Sequence, residues 1–209
     1  VKRVERTMDG GGTGLDGQNC TILCYPMRDM DMSLIFVTGS PGVGKSSVCR
    51  ELKIRGEQAY DTDGDGLAGW YDKSSGQSVA MPSREVWATP EWQNRHDWHM
   101  DRNKVEAIAN TSQRDPVFIC GSVANEVQVW DLFSKVFYLL ADEATVRTRL
   151  LSRADNDFGR EEHELAAILG WLRNAEEDYK RFGAEVIDAT RPLKQVVDDI
   201  VTLSHREGK

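Results

Sequence analysis

Eight residues dominate the interpretation of this sequence: Gly39-Ser40-Pro41-Gly42-Val43-Gly44-Lys45-Ser46. They match the pattern GxxxxGK[ST] at every fixed position. The apolar run Ser33–Val37 precedes them, and a helical pattern over Lys45–Arg55 follows. Glycines let backbone N–H groups converge on phosphate oxygens, and the start of the following helix adds favourable partial charge. The order of strand, glycine-rich turn and helix therefore predicts a phosphate-binding loop, called the phosphate loop below.

The residue types in the phosphate loop suit particular roles. We expect Lys45 to bridge the β- and γ-phosphates of a nucleoside triphosphate, and the Ser46 hydroxyl to bind Mg²⁺. The residues expected to contact the phosphates are Gly39, Ser40, Pro41, Gly42, Val43, Gly44, Lys45, Ser46 and Ser47. The alternative is a glycine-rich turn that binds nothing.

The rest of the chain alternates apolar runs with helical patterns. Val117–Cys120, Val136–Leu140 and Val186–Asp188 are apolar on both faces, as in strands of a parallel sheet covered by helices. Leu165–Leu172 and Leu193–Val201 repeat apolar residues at helical spacing, and a further helix is predicted over residues 95–112. This alternation predicts an α/β three-layer domain.

Composition excludes several classes of protein. The 209 residues include 26 Lys and Arg against 34 Asp and Glu, a net charge of −8, which argues against a nucleic-acid binder. The longest uncharged run, Met32–Gly44, has only thirteen residues and argues against a membrane span. None of the four cysteines forms a CxxC pair, so a reducing cytoplasm is expected.

Residues 1–31 are predicted to be a flexible N-terminal tail, with the domain over residues 32–209. The tail segment has five glycines and neither helical nor alternating periodicity. It lacks the pattern of a secretory signal. Because Met30 and Met32 stand just before the first predicted strand, we hypothesise that the natural start is one of these methionines.

Four motifs in order make the chain resemble small P-loop kinases of the adenylate kinase, shikimate kinase and nucleoside kinase type, over about residues 33–205. The first is the phosphate loop, a Walker A sequence. Tyr60–Asp63 resembles the D-x-D of shikimate kinases, and Arg149–Arg153 resembles the R-x3-R that opens the lid of adenylate kinases. Val186–Pro192 is similar to the last strand and turn that border the adenine.

The resemblance implies a P-loop NTPase domain with a parallel five-stranded sheet of order 2-3-1-4-5, helices on both faces and a lid over about residues 153–162. It implies that Arg153 contacts phosphates and Arg149 the adenine, with Arg160 and Arg173 as candidates for a later contact. The turn residues implied to border the adenine are Thr190, Arg191 and Pro192.

The resemblance also implies an ATP-dependent, Mg²⁺-requiring phosphotransferase. The expected acceptor of the γ-phosphoryl group is a small molecule, either a nucleoside, a nucleotide or a polyol. Asp61 would help to hold Mg²⁺ through water, and Asp63 would accept or orient the proton of the acceptor hydroxyl. The catalytic set is then Lys45, Asp61, Asp63 and Arg153. The enzyme would be cytoplasmic, a monomer or homodimer, with no nucleic-acid or membrane partner.

Two other functions remain open. A nucleotide-binding module or switch would hydrolyse slowly without transfer, although Asn103–Glu106 lacks the final Asp of a guanine-reading NKxD. A calcium-binding protein is a remote alternative, because Asp61–Gly66 and Asp72 match much of an EF-hand loop. Against it, Gly56 breaks the preceding helix, and the next residues read as a strand.

The segment at about residues 64–98 is expected to bind the acceptor. It holds four of the six tryptophans, which either stack a base or sugar or form a small satellite core. Tyr71–Gln77 reads as a hairpin turn. Further along, Asn125 and Glu126 are either contacts of the site or residues that start a helix.

Overall fold

A computed structural model describes residues 34–111, 116–153 and 158–205 of the chain. The predicted tail, residues 1–31, and part of the predicted lid, residues 154–157, lie outside the described residues. The strands and helices, in chain order, are β1 (Leu34–Thr38), α1 (Lys45–Ile54), β2 (Gln58–Asp61), β3 (Ala68–Asp72), β4 (Ser78–Val79), α2 (Arg84–Trp87), α3 (Pro90–Arg95), β5 (His96–Met100), α4 (Arg102–Thr111), β6 (Val117–Cys120), α5 (Glu126–Val129), β7 (Lys135–Leu140), α6 (Glu143–Ser152), α7 (Glu162–Arg181), β8 (Glu185–Asp188) and α8 (Leu193–Ser204).

The main sheet has five parallel strands in the order β2-β6-β1-β7-β8. Counted among these five strands alone, that order is 2-3-1-4-5, which confirms the prediction. Because β1 is central, the phosphate loop leaves the sheet from its middle. Parallel strands align their carboxyl ends, so the residues after β1, β2 and β6 meet at one edge of the sheet.

Alternate residues of the strands feed two separate cores. Ile35 and Val37 pack on one face with the apolar sides of α1, α6, α7 and α8. Leu34 and Phe36 pack on the other face, where Val105 of α4 joins them. Helices thus cover both faces of the sheet, which explains why the sequence of β1 is apolar at every position.

A second, antiparallel sheet of order β4-β3-β5 was not expected from the sequence. The hairpin between β3 and β4 confirms the predicted turn at Tyr71–Gln77. The predicted helix over residues 95–112 is wrong in its first part, because residues 96–100 form β5 and α4 begins only at Arg102. Pairing with β3 decides this, since it places Trp98 opposite Trp70.

No helix among the described residues combines the length and the apolar character needed to cross a membrane.

Candidate active site

The phosphate loop links the end of β1 to the start of α1. Gly39, Gly42 and Gly44 have φ values of +147°, +87° and +111°, a region that other residues rarely adopt. A Cβ on Gly39 would lie 2.6 Å from the carbonyl oxygen of Leu139. Gly44 is the N-cap of α1 and brings no side-chain acceptor to the first N–H groups of the helix. This cradle of backbone amides fits a phosphate group.

The Lys45 side chain folds back over the phosphate loop. Its Nζ donates to the carbonyl oxygens of Gly39, at 2.6 Å, and Ser40, at 3.0 Å. Burial lowers the pKa of Lys45 to about 8, while the carboxylates of Asp63 and Glu126 act in the opposite direction. A cation thus lies over the loop with carboxylates close by.

Ser46 and Ser47 are exposed in the first turn of α1. Asp61 ends β2, and its Oδ1 accepts the backbone N–H groups of Asp63, at 3.1 Å, and Gly64, at 3.0 Å. Among the residues described, no three His, Cys, Asp or Glu side chains gather into a metal-binding group. The donors present, one hydroxyl and one carboxylate, fit a Mg²⁺ ion that keeps most of its ligands as water and phosphate oxygens.

Asp63 is held in place by a tryptophan of the segment at about residues 64–98, called the aromatic segment below. The indole N–H of Trp98 donates to Asp63 Oδ1 at 2.9 Å, and the Thr62 hydroxyl donates to the same oxygen at 3.1 Å. The Asp63 carboxylate also interacts electrostatically with Lys45. The structure therefore brings Asp63 and Lys45 to the same edge of the main sheet.

Arg149 joins three elements. Its Nη1 donates to the carbonyl oxygen of Val43 at 2.8 Å, and its Nη2 donates to that of Ala189 at 2.9 Å. A shallow depression of about 300 Å³ is lined by Ala144, Thr145, Thr148 and Arg149. Arg149 thus lies between the phosphate loop and the turn after β8.

The arginines of the predicted lid donate to backbone carbonyl oxygens of that segment. Arg153 donates to the carbonyl oxygen of Phe158, and Arg160 donates to that of Arg153. Arg153 also acts electrostatically on Lys45. Arg173 instead forms a 2.9 Å ion pair with Glu143.

The turn after β8 is held by local contacts. Thr190 donates to Asp188 through both its backbone N–H, at 2.9 Å, and its hydroxyl, at 2.6 Å. Arg191 pairs with Asp199 at 2.6 Å, and Pro192 is the N-cap of α8. The same turn contacts the Arg149 guanidinium through the carbonyl oxygen of Ala189.

The segment from Asp61 to Asp72, which matches much of an EF-hand loop, does not have the structural setting of one. Strand β2, not a helix, runs into Asp61. At the other end, Asp72 Oδ1 accepts N–H and O–H groups of Ser74 and Ser75, and its Oδ2 lies 3.0 Å from Arg95 Nε. Both aspartates thus stabilise their own turns.

The four tryptophans of the aromatic segment pack on each other. The ring of Trp70 lies 6.4, 6.1 and 5.4 Å from those of Trp87, Trp92 and Trp98. This arrangement fits the satellite core foreseen as one of the two alternatives. The cluster also extends to the site, because Trp98 bonds Asp63 and Trp87 lies 6.5 Å from Phe158 of the lid.

Two polar side chains after β6 lie beside the phosphate loop, and one of them, Glu126, is both the first residue of α5 and a contact of Thr38, so it combines the two alternatives left open by the sequence. The Ser122 hydroxyl donates to the carbonyl oxygen of Gly39 at 2.7 Å. Glu126 is buried and accepts a hydrogen bond from Thr38 Oγ1 at 2.7 Å. Their positions after β6 were the only available signal, because residues there share an edge with the phosphate loop.

The comparisons with known proteins identify the family. A protein-family model described as AAA domain matches residues 35–170, which is more than half of the chain. The chain therefore belongs to this family. No curated protein matches the chain.

Solved structures share the fold. Shikimate kinase from Acinetobacter baumannii has a TM-score of 0.54 at 15% identity, over 82% of this chain and 92% of that one. Deoxyadenosine kinase from M. mycoides has a TM-score of 0.52 at 16% identity, over 83% of this chain and 100% of that one. Shikimate kinase from Bacteroides thetaiotaomicron has a TM-score of 0.51 at 17% identity, over 82% and 98%.

Proposed function

We propose that this member of the AAA domain family is a Mg·ATP-dependent kinase that transfers the γ-phosphoryl group to a small molecule. The observation that carries the proposal is the meeting of three groups at one edge of the sheet. These are a phosphate cradle, the Lys45 ammonium over it and the Asp63 carboxylate beside it. The solved structures that share the fold are named as kinases, which supports the same reaction class.

In this proposal the chain binds, orients and stabilises charge. The amides of the phosphate loop hold the phosphates, and Lys45 leaves its carbonyl partners to meet the β- and γ-phosphate oxygens. Mg²⁺, bound by Ser46 and through water by Asp61, would supply charge neutralisation when present. Arg149 would lie against the adenine. Thr190, Arg191 and Pro192 would shape the turn after β8 that borders the adenine.

The acceptor would bind between Asp63 and the lid. Asp63 would accept or orient the proton of the acceptor hydroxyl, with its own position set by Trp98 and Thr62. Arg153 and Arg160 would approach the transferring phosphoryl group when the lid closes and excludes water. The acceptor class remains a nucleoside, a nucleotide or a polyol. We place the enzyme in the cytoplasm, in line with the free thiols of Cys49 and Cys120.

Incubation with ATP, Mg²⁺ and a panel of nucleosides, nucleotides and sugar acids tests the proposal, with mass spectrometry reading the products. We expect one class of acceptor to gain a phosphoryl group and the Lys45→Ala variant to form that product far more slowly. ATP binding with slow hydrolysis and no transfer would indicate a nucleotide-binding module. Absence of Mg·ATP binding in equilibrium dialysis would refute any nucleotide-dependent function.

A further inference from the structure

A buried carboxylate lies beside the phosphate loop and has no part in the reaction proposed above. Glu126, the first residue of α5, is only 9% exposed. Its Oε1 accepts the hydroxyl of Thr38 at 2.7 Å, and its Oε2 accepts the hydroxyl of Tyr179. Two O–H donors from β1 and α7 thus meet on the two oxygens of one side chain.

Both donors lead to the start of the phosphate loop. Thr38 is fully buried and directly precedes Gly39. The Tyr179 ring stacks on that of Tyr138 with 4.1 Å between centroids, and the Tyr138 hydroxyl lies 3.5 Å from Ser40 Oγ. Glu126 therefore contacts the residue before the loop directly. It is also linked to Ser40 indirectly, through the stacked rings of Tyr179 and Tyr138.

Only a carboxylate accepts hydrogen bonds from both hydroxyls on two separate oxygens. An ionised carboxylate accepts hydrogen bonds on both oxygens, whereas an amide accepts on its oxygen alone. A buried hydroxyl that loses its acceptor costs free energy until it finds another partner. This cost destabilises the native conformation of the segment that carries the hydroxyl. Burial raises the pKa of Glu126, and the hydrogen bonds from Tyr179 and Thr38 and the interaction with the Lys45 ammonium act in the opposite direction.

We propose that Glu126 is a positioning residue of the phosphate loop, which it holds in its phosphate-binding shape through the paired hydroxyls of Thr38 and Tyr179. The proposal deepens the proposed function, because the held loop is the one expected to bind ATP. The loop geometry itself can be measured without any nucleotide, so the two can fail separately.

Three variants isolate the contact. Glu126→Ala removes both acceptors, Glu126→Gln keeps one, and Thr38→Val removes the donor next to the loop at nearly constant volume. Asn125→Ala is the matched control. The Asn125 side chain is buried, accepts the N–H of Met100 at 2.8 Å and donates to the carbonyl oxygen of Met100 at 3.0 Å. Asn125 is the neighbour of Glu126 in the chain, but it holds the loop between β6 and α5 against β5 and not against the phosphate loop.

Hydrogen exchange of the nucleotide-free protein, read on peptides that cover residues 38–48, is the primary measurement. We expect Thr38→Val and Glu126→Gln to speed exchange there by about tenfold, the effect of one net hydrogen bond. Glu126→Ala should speed it more, so that the glutamine restores part of the protection. Asn125→Ala should speed exchange around β5 and leave the loop as in the wild type.

The double variant Glu126→Ala with Thr38→Val tests whether the two side chains act together. If they share one contact, the double variant exchanges about as fast as the faster single variant. Mg·ATP affinity should fall about tenfold in each single variant. Additive effects, or equal loop exchange in Glu126→Gln and Asn125→Ala, would overturn the proposal. If the wild type binds no Mg·ATP, the proposed function fails, and the exchange measurement alone decides this inference.

Discussion

The Lys45 ammonium is held by carbonyl oxygens of the loop that it is expected to serve, at 2.6 Å from Gly39 and 3.0 Å from Ser40. A phosphate on the loop amides would lie within reach of the same Nζ. The cation therefore needs only to exchange carbonyl partners for phosphate oxygens. The charges that act on it include those of Asp63 and Arg153, which belong to the expected acceptor side and the predicted lid.

Replacing this single charge should slow transfer sharply and leave the fold intact. We expect Lys45→Ala to lower the transfer rate by about 10²- to 10³-fold, because a preorganised donor to the developing charge is lost. The control is Arg50→Ala, which removes an exposed cation from the same helix and should leave the rate unchanged. Steady-state kinetics with the acceptor identified by the panel give the rates, and circular dichroism checks the fold. A turnover near the wild-type value in Lys45→Ala would contradict the assigned role.

At the scale of elements, the turn after β2 packs tightly against the end of β6. A Cβ on Gly121 would lie 1.9 Å from Thr62 Oγ1 and 2.4 Å from Thr62 Cγ2. Thr62 lies between Asp61 and Asp63, so this contact sets where both carboxylates stand. Gly121 is needed for close approach.

Gly121→Ala should therefore lower the free energy of unfolding by about 1–3 kcal/mol through overpacking. The double variant Gly121→Ala with Thr62→Ala should recover part of that loss, because it removes the two Thr62 atoms that lie closest to the new Cβ. Gly170→Ala is the control, since no described atom lies within 4 Å of a Cβ there, and we expect a gain of up to about 1 kcal/mol. Urea unfolding gives these three values and that of Thr62→Ala alone. Full additivity of the Gly121 and Thr62 substitutions would show that the two side chains do not compete for space.

The hairpin between β3 and β4 depends on the ionisation of Asp72. Hydrogen bonds from Ser74 and Arg95 hold the pKa of Asp72 well below its ordinary value. A lowered pKa means that the charged form stabilises the folded state. This contribution is complete above the ordinary pKa of about 4 and is lost as the pH falls below it.

Tryptophan fluorescence can follow this acid dependence, because Trp70 lies in the same sheet as Asp72. We expect the wild type to lose stability more steeply below about pH 4 than Asp72→Asn, which should be less stable at neutral pH. Glu91→Gln, at an exposed position of α3, should follow the wild type. Parallel acid profiles for the wild type and Asp72→Asn would argue against the role of this carboxylate.

At the scale of the whole molecule, a nucleotide would join elements that are distant in the chain. The groups expected around it come from the phosphate loop, the end of α6 and the turn after β8, which Arg149 already links through Val43 and Ala189. A ligand bound across these elements should stabilise the entire domain.

We expect Mg·ATP at about one hundred times its dissociation constant to add about 2.7 kcal/mol to the free energy of unfolding. For a domain of this size the midpoint temperature should then rise by roughly 5 to 10 °C. Differential scanning fluorimetry measures the shift, with Lys45→Ala as the control that should show little. No shift in the wild type at millimolar Mg·ATP would oppose nucleotide binding in this fold.

Much of this architecture was predictable from local patterns. The helix-covered sheet and the loop at Gly39–Ser46 follow from apolar runs, helical periodicity and a glycine pattern, whereas the strand order 2-3-1-4-5 was implied by the resemblance to small P-loop kinases. These features are written in neighbouring residues, because the backbone conformation of a glycine or the buried face of a strand depends on the residue itself. The roles of Asp61, Asp63 and Arg153 remain predictions that rest on those motifs.

Other features depended on residues far apart in the chain. Pairing between β3 and β5 turned residues 96–100 into a strand, and the packing of four tryptophans followed from it. The bonds from Trp98 to Asp63 and from Thr38 to Glu126 span 35 and 88 positions. A sequence pattern reports which residue types are present but not which distant ones meet. Only the folded chain brings a donor to its acceptor, so the support around the phosphate loop was decided by tertiary structure.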